Sequence, residues 1–168
     1  SVAAYRGAFA PAPAAAWTDS WTNFDPQNTT YPASTVTVAG GDINGDTTWS
    51  TGNTYTITGP VYVRNGATLT IQPGVVIYGA NSTASLIITK GSKINAVGTA
   101  SSPIVFTSSN AIGSRLQGDW GGIILLGNGS YNINSGSAYI EGIEQNTDTA
   151  FGGGLSPNNA DNSGTMQY

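Results

Sequence analysis

Short apolar runs separated by polar turn residues fill the chain from residue 36 onward. Such runs, rich in β-branched residues and bounded by Gly, Asn, Ser and Pro, are typical of β-strands. Asn65-Gly66 and Pro73-Gly74 supply the positive φ angles that tight turns require. No segment after residue 36 has a helical period, so an all-β fold is expected. The pattern predicts strands at residues 55–58, 61–63, 68–71, 75–78, 86–89, 93–96, 104–107, 122–126, 139–143 and 165–168.

An internal repeat distinguishes between two architectures that fit this pattern, a sandwich and a solenoid. Residues 61–71 (VYVRNGATLTI) lie over residues 86–96 (LIITKGSKINA) without a gap, at a shift of 25 residues. Residues 74–77 align with 103–106 after a short insertion, and a looser third copy begins at Ile123. About 25 residues with three short strands form one coil of a parallel β-helix, whose coils stack about 4.8 Å apart. The predicted fold is therefore an all-β parallel β-helix of about five coils, preceded by an aromatic leader or cap.

The repeat also predicts which side chains fill the interior, because alternate residues of a strand point to opposite faces. Stacking places apolar residues of successive coils above one another. The predicted inward set is Val61, Val63, Leu69, Ile71, Val75, Ile77, Leu86, Ile88, Ile94, Ile104, Phe106, Ile123 and Leu125.

Composition agrees with a β-helix and excludes several kinds of chemistry. Charged residues make up only 8% of the 168 residues, which suits a fold whose backbone ladders satisfy most polar groups. Because the chain has no His and no Cys, it has no Ser–His or Cys–His triad, no disulfide and no His- or Cys-ligated zinc. The net charge of −4 leaves no basic surface for nucleic acid or an anionic membrane. No apolar run approaches the roughly 20 residues of a spanning helix, so membrane insertion is not expected.

Residues 1–35 form a separate leader, rich in Pro, Ala and aromatic residues. Trp17, Trp21 and Phe24 have the i, i+4, i+7 spacing of one helical face. A two-turn helix is marginal in water by itself, so this face needs a partner surface in this chain or in a neighbour. The leader is interpreted as a core-sealing cap, and alternatively as a platform on which sugars stack. Its predicted interaction residues are Tyr5, Phe9, Trp17, Trp21, Phe24 and Tyr31.

One motif suggests calcium, the only cofactor that the sequence brings into consideration. Asp42-x-Asn44-x-Asp46 has the alternating oxygen ligands of a calcium loop. However, Gly45 lies between the last two ligands and no acidic residue closes the loop. A turn into the first coil is therefore the alternative interpretation.

Glu141 and Glu144, with Asp148 nearby, form an acidic cluster. Paired carboxylates can hydrolyse glycosidic bonds. Residues 141 and 144 would point to opposite faces of a regular strand, so a bulge or turn would be needed to pair them. Lyase chemistry would require Arg or Lys beside acidic metal ligands, and Arg115 with Asp119 is the sole hint of such a pair. The chain is therefore expected not to be an enzyme.

Four blocks of sequence resemble large surface proteins of the Bacteroidetes. They are residues 49–74, 98–108 (GTASSPIVFTS), 118–122 (GDWGG) and 161–164 (DNSG). The resemblance covers about residues 40–168 and implies a right-handed β-helix at the cell surface or outside the cell, exported by type IX secretion, with no catalytic residue to transfer. The block at 118–122 is interpreted as a corner where Trp packs against positions that only Gly fits. Asp46-Thr47-Thr48 and Asp148-Thr149-Ala150 resemble the O-glycosylation sequon of such proteins, which implies Thr47 and Thr149 as acceptors.

The order of these blocks suggests the function. The aromatic leader resembles what the family carries near the far end of its β-helix, whereas the coils of residues 36–168 stop at Tyr168 inside an apparent strand. We therefore expect an extracellular structural module of a bacterial surface protein or fibre. Its coil ends would stack head-to-tail on neighbouring units, through self-association or tandem copies. A glycan-binding adhesin is the alternative, and a polysaccharide lyase or hydrolase is the third hypothesis.

Overall fold

The computed structural model describes residue 23, residues 25–132 and residues 138–168. Within these ranges the chain forms short strands and no helix, which confirms the all-β prediction. None of the described segments could therefore cross a membrane as a helix. The strands are β1 (Val36–Val38), β2 (Gly41–Ile43), β3 (Thr47–Trp49), β4 (Thr54–Ile57), β5 (Pro60–Val63), β6 (Thr68–Ile71), β7 (Val76–Gly79), β8 (Ser85–Ile88), β9 (Lys93–Val97), β10 (Val105–Ser108), β11 (Ile123–Leu125), β12 (Ala138–Tyr139), β13 (Ala150–Phe151) and β14 (Gly164–Gln167).

Three parallel sheets run along the molecule, and each receives one strand from every coil. Sheet one has the order β1-β4-β7-β10, sheet two β2-β5-β8-β11, and sheet three β3-β6-β9-β14. Coil 1 is therefore β1–β3, coil 2 is β4–β6, coil 3 is β7–β9, and coil 4 consists of β10, β11 and β14. The chain is a right-handed parallel β-helix, the hand that crossovers between parallel strands adopt. The described residues form four coils, whereas the sequence predicted about five.

Residues that the internal repeat aligns are paired with each other in adjacent strands of the sheets. Val61 pairs with Leu86, which lies 25 positions later, and Leu86 pairs in turn with Ile123. On sheet one, Phe106 pairs with Ile77. Both the ungapped repeat and its looser third copy are therefore confirmed as stacked coils.

Coil 1 is the part of the stack that the strand prediction missed. Each of its strands has only three residues, and Gly41, Asp42 and Thr48 interrupt the apolar pattern. Pairing with coil 2 specifies these strands where their own sequence does not. Trp49 is buried and stacks on Tyr55 of coil 2, with ring centroids 4.7 Å apart and an interplanar angle of 12°.

The interior is a column of apolar side chains. Ten of the thirteen residues predicted to point inward are at most 9% exposed, which confirms the prediction for those ten. The other three are corrections: Phe106 and Ile123 are only partly buried, and Leu125 is 46% exposed. These three residues occupy the inward register positions of coil 4. No strand of the described residues covers the far side of coil 4, so its interior side chains remain open to solvent.

Between β11 and β14 the chain leaves the coil, and we call the described residues of this segment, 126–132 and 138–163, the excursion. Its β12 and β13 pair with each other in antiparallel fashion and join none of the three sheets. The predicted coil strand at 139–143 is therefore wrong, because the chain turns at Gly142, where φ is +79°. The excursion is tied to the coils by the ion pair of Asp148 with Arg64 and by a hydrogen bond from the Lys90 Nζ to the Gly152 carbonyl (3.3 Å).

Residues 25–35, which we call the strap, lie along the outer side of sheet one. The Arg115 guanidinium in coil 4 donates to the carbonyl of Thr29 (2.8 Å), and the Tyr78 hydroxyl in coil 3 donates to that of Pro32 (2.7 Å). The Thr35 amide then donates to a coil 2 carbonyl (3.0 Å). This part of the leader therefore crosses successive coils laterally. Five of the predicted interaction residues lie outside the residues that the structure describes, so their role in an end cap stays a prediction. They are Tyr5, Phe9, Trp17, Trp21 and Phe24.

The corner before β11 confirms the interpretation of the Gly-Asp-Trp-Gly-Gly block. Trp120 packs against the core directly over Gly79, where a Cβ atom would lie 2.3 Å from the Trp120 Cγ. Gly121 approaches coil 3 so closely that a Cβ atom there would lie 3.0 Å from the Ala84 carbonyl oxygen. A larger residue would clash with Trp120 at position 79 and would crowd the coil 3 backbone at position 121, so the packing favours glycine at both.

Candidate functional site

One cavity is a cleft between the excursion and the outer face of sheet two. Its volume is about 480 Å³, which falls within the size of small-molecule sites. The cleft is lined by Pro60, Ser82, Thr83, Ser85, Gly121, Ile124, Glu141, Gly142, Ile143 and Glu144. The excursion thus supplies the carboxylates, whereas the coils supply hydroxyls and apolar side chains.

A turn brings Glu141 and Glu144 to the same cleft, which a regular strand would not do. Residues 141–143 leave the extended conformation, and Gly142 adopts a positive φ that other residues rarely adopt. Both carboxylate residues line the cleft and are exposed to solvent. The condition that the sequence imposed on a carboxylate pair, a turn between its members, is therefore met.

Ser85 forms part of the coil side of the cleft, and sequence reasoning did not identify it. Its neighbour Leu86 points into the core, so Ser85 points to the outer face of sheet two. The residue is only 2% exposed, and its hydroxyl has no hydrogen-bond partner among the described residues. A buried hydroxyl without a partner is costly, and its presence beside a cavity points to a group that would bind there.

Ion pairs around Arg64 join the excursion to the coils. Arg64 pairs with Asp42 of coil 1 (2.5 Å) and with Asp148 of the excursion. Its guanidinium carbon also lies 5.6 Å from the centre of the Tyr62 ring. Burial, followed by the charge of Asp148, raises the pKa of the Tyr62 hydroxyl. Because Arg64 already has two carboxylate partners, its charge compensates Asp42 and Asp148.

The predicted calcium residues use their oxygens within the protein. Asp42 accepts from Arg64, Asn44 accepts from the Asn65 side chain (2.8 Å), and Asp46 accepts from a coil 2 backbone amide (2.8 Å). These bonds hold the turn between β2 and β3 against the equivalent turn of coil 2, as the alternative interpretation requires. Within the described ranges no cluster of three or more acidic residues could hold a metal ion.

The predicted Arg115 and Asp119 pair is not brought together as a site. Arg115 is 8% exposed, and its donors point to carbonyls of the strap. Asp119 accepts from the Leu116 amide (2.8 Å). Hydrogen bonds from the Ser108 hydroxyl and that amide lower the pKa of the Asp119 carboxyl. Both residues therefore have structural partners.

Tyr31 is the one predicted leader residue that the structure describes. Its ring lies under the Arg115 guanidinium at 5.1 Å and lines a cavity of about 330 Å³ between the strap and sheet one. Cation–π contact with Arg115 occupies a face that a sugar would need for stacking. Stacking by the other leader aromatics stays a prediction.

The two predicted glycosylation acceptors differ in accessibility. Thr149 is 0% exposed, and its hydroxyl donates to the carbonyls of Glu144 (2.9 Å) and Asn146 (3.2 Å). The folded chain therefore contradicts the prediction of a glycan on Thr149, because the hydroxyl has no access to solvent. Thr47 is partly exposed and donates to the Gly45 carbonyl (2.9 Å), so a glycan there stays a prediction.

The far side of coil 4 is a second candidate surface, which we call the open end. Its inward positions include Leu125, which is 46% exposed, and Met166, which is 43% exposed. A mostly apolar cavity of about 270 Å³ lies there, lined by Ala96, Ile104, Phe106, Met166, Gln167 and Tyr168. Apolar side chains at an unpaired strand edge are typical of a surface that another strand covers.

Comparison with known proteins identifies the family of this fold. The model of the family described as "pectate-lyase like beta helix domain" matches residues 41–168, about three quarters of the chain. No curated protein and no solved structure matches the chain. The match supports the predicted relation to parallel β-helix proteins, whereas an origin in the Bacteroidetes stays a prediction. Since the match covers more than half of the chain and agrees with the coils described above, the chain belongs to the pectate-lyase-like β-helix domain family.

Proposed function

We propose that the protein is a structural module of an extracellular bacterial surface protein or fibre, in which coil 4 of one unit stacks on coil 1 of the next. The observation that carries the proposal is the open end. Leu125 and Met166 hold inward register positions, yet nearly half of each side chain is exposed. Covering them with another coil would remove that apolar surface from water.

The backbone at both ends of the stack supports the same arrangement. β10, β11 and β14 are edge strands at one end, and β1, β2 and β3 are edge strands at the other. Each edge presents N–H and C=O groups that no described strand satisfies, and all six strands belong to parallel ladders that another coil can extend. Contact between two different ends does not close on itself, so repeated stacking yields a filament.

A structural rather than catalytic role is supported by the charges of the cleft. The described residues that line it include two carboxylates and no Lys or Arg, although lyase chemistry would require a basic group. Arg64 is paired with Asp42 and Asp148, and Arg115 is bound to the strap. An acidic cleft would also repel a polyanion such as pectate, the substrate class that the family description names.

The location outside the cell is proposed from the surface composition and from the family resemblance. Only 8% of the residues are charged, and Thr, Ser and Asn together are the largest group among the exposed positions of the described residues. Such a surface relies on neutral hydrogen-bonding groups for its solubility. The resemblance to exported Bacteroidetes surface proteins supports the same location.

A pair of substitutions on one strand tests the stacking. Met166→Lys places a charge on the open end, whereas Thr165→Lys adds the same charge on the outer face of β14, because Thr165 pairs with Asn95 and not with a core residue. Sedimentation velocity of the full chain over a range of concentrations is expected to show association for the unmodified protein and for Thr165→Lys. Met166→Lys is expected to remain monomeric. Equal association of both variants would contradict stacking through the open end.

A further inference from the structure

We propose that the cleft between the excursion and sheet two binds a small organic ammonium compound that also carries a hydroxyl group. This site is separate from the open end, so it does not depend on stacking. Three features of the lining define the ligand: two carboxylates, one buried hydroxyl and an apolar wall.

The carboxylates define the positive group. Glu141 and Glu144 line the cleft from the excursion side. Within the described part of the chain, the ion pairs join Arg64 to Asp42 and Asp148, and none involves either glutamate. Among the described residues, no cationic side chain lines the cleft. An ammonium group at this position would donate charge-assisted hydrogen bonds to the two carboxylates.

Ser85 defines a second polar group, and it is independent of the acidic pair. Its hydroxyl is buried, lies on the outer side of sheet two and has no hydrogen-bond partner among the residues described. Gly121 lies next to it: a Cβ atom at Gly121 would lie only 3.1 Å from the Ser85 Cβ. Gly121 has no side chain that could hydrogen-bond with the Ser85 hydroxyl. A neutral ligand hydroxyl satisfies this group without burying a charge.

The rest of the lining defines the body of the ligand. Pro60, Ile124 and Ile143 supply the apolar part of the lining. A cavity of about 480 Å³ accommodates a compound with a short methylene chain. A divalent cation would leave the apolar surface unused, and a carboxylated sugar would face Glu141 and Glu144 with the same sign of charge. An amino alcohol matches all three features.

The test uses 5-aminopentan-1-ol as the probe, with two controls that each lack one polar group. Pentane-1,5-diol lacks the charge, and pentylamine lacks the hydroxyl. Binding to the full chain is measured by titration in ¹H–¹⁵N spectra, in which the amides of Gly121, Ile124 and Glu144 report on the cleft. We expect saturable shifts of these amides with the amino alcohol, at least about tenfold weaker binding of the diol, and several-fold weaker binding of pentylamine.

Two variants separate the contributions of the polar groups. Glu141→Gln combined with Glu144→Gln is expected to weaken binding of the amino alcohol about tenfold or more and to remove its dependence on salt. Ser85→Ala is expected to weaken the amino alcohol several-fold and to leave pentylamine unchanged. Thermal unfolding of each variant verifies that the fold is retained.

The opposite results would overturn the inference. These are no saturable shift with the amino alcohol, equal affinity for the diol, or unchanged affinity in the double glutamine variant. Monomeric Met166→Lys is expected to bind the probe normally, so failure of stacking and failure of this site are distinguishable.

Discussion

Ile88 and Leu125 occupy the same position in adjacent coils, and comparing their substitutions by alanine measures how open coil 4 is. Their Cα atoms are register partners on sheet two. Ile88 is 0% exposed in coil 3, whereas Leu125 is 46% exposed in coil 4. The two side chains have the same number of carbon atoms, so the comparison isolates the effect of burial.

The magnitudes follow from this difference in burial. Ile88→Ala removes a fully enclosed side chain and leaves a cavity, which lowers the free energy of unfolding by about 3–4 kcal/mol. Full burial of a leucine side chain contributes about 1.5–3 kcal/mol, and Leu125 realises only about half of it. No enclosed cavity forms at the open end, so Leu125→Ala is expected to cost about 1 kcal/mol.

Urea unfolding followed by circular dichroism measures both costs, at a protein concentration low enough to prevent association. The slope against urea should be the same for both variants, because each unfolds the same coils. Equal costs for Ile88→Ala and Leu125→Ala would refute the reasoning, since Leu125 would then have to be covered in the monomer. At concentrations that allow stacking, the cost of Leu125→Ala should rise.

Three further predictions concern the corner, the excursion and the acid stability. Gly79→Ala should lower the free energy of unfolding by about 1–3 kcal/mol in urea titrations, because the added Cβ displaces Trp120; an unchanged midpoint would contradict this packing. Thr149→Val should lower the free energy of unfolding by about 1–3 kcal/mol, because it removes a buried hydroxyl that is hydrogen-bonded. It should also speed amide hydrogen exchange at residues 144–150, and unchanged exchange there would contradict this role. Hydrogen bonds lower the pKa of Asp119 from 3.8, so its ionised form stabilises the fold above about pH 4 and that contribution disappears as the pH falls through the lowered pKa. In Asp119→Asn, the free energy of unfolding should therefore decrease less as the pH is lowered below about 4. The same decrease as in the unmodified protein would contradict this assignment.

The regular coils are predictable from sequence because their spacing is constant. The interval of 25 residues between Val61 and Leu86 on sheet two also separates Leu69 from Ile94 on sheet three. One sequence alignment therefore gives the strand register of both sheets. Coil 1 could not be found in this way, since its three-residue strands become strands by pairing with coil 2. The exposure of Leu125 also reflects that no described strand pairs with the far side of coil 4, which the local pattern does not encode.

The candidate cleft was only partly predictable. Sequence reasoning identified Glu141 and Glu144 and the turn that pairing them requires, and Gly142 marks that turn. Ser85 was not identified, because a serine at a strand start is ordinary and its burial depends on Gly121, 36 positions later. The packing of the excursion on sheet two depends on Asp148 meeting Arg64 across 84 positions. No short-range pattern encodes contacts of this kind.

Negative-stain electron microscopy of the full chain at increasing concentration tests the central claim, that coil ends stack head-to-tail. Four coils at about 4.8 Å each predict an axial repeat of about 19 Å per unit, which averaged filament images would show. Filaments with this repeat are expected for the unmodified protein, and Met166→Lys should abolish them. Discrete single particles at every concentration would contradict it.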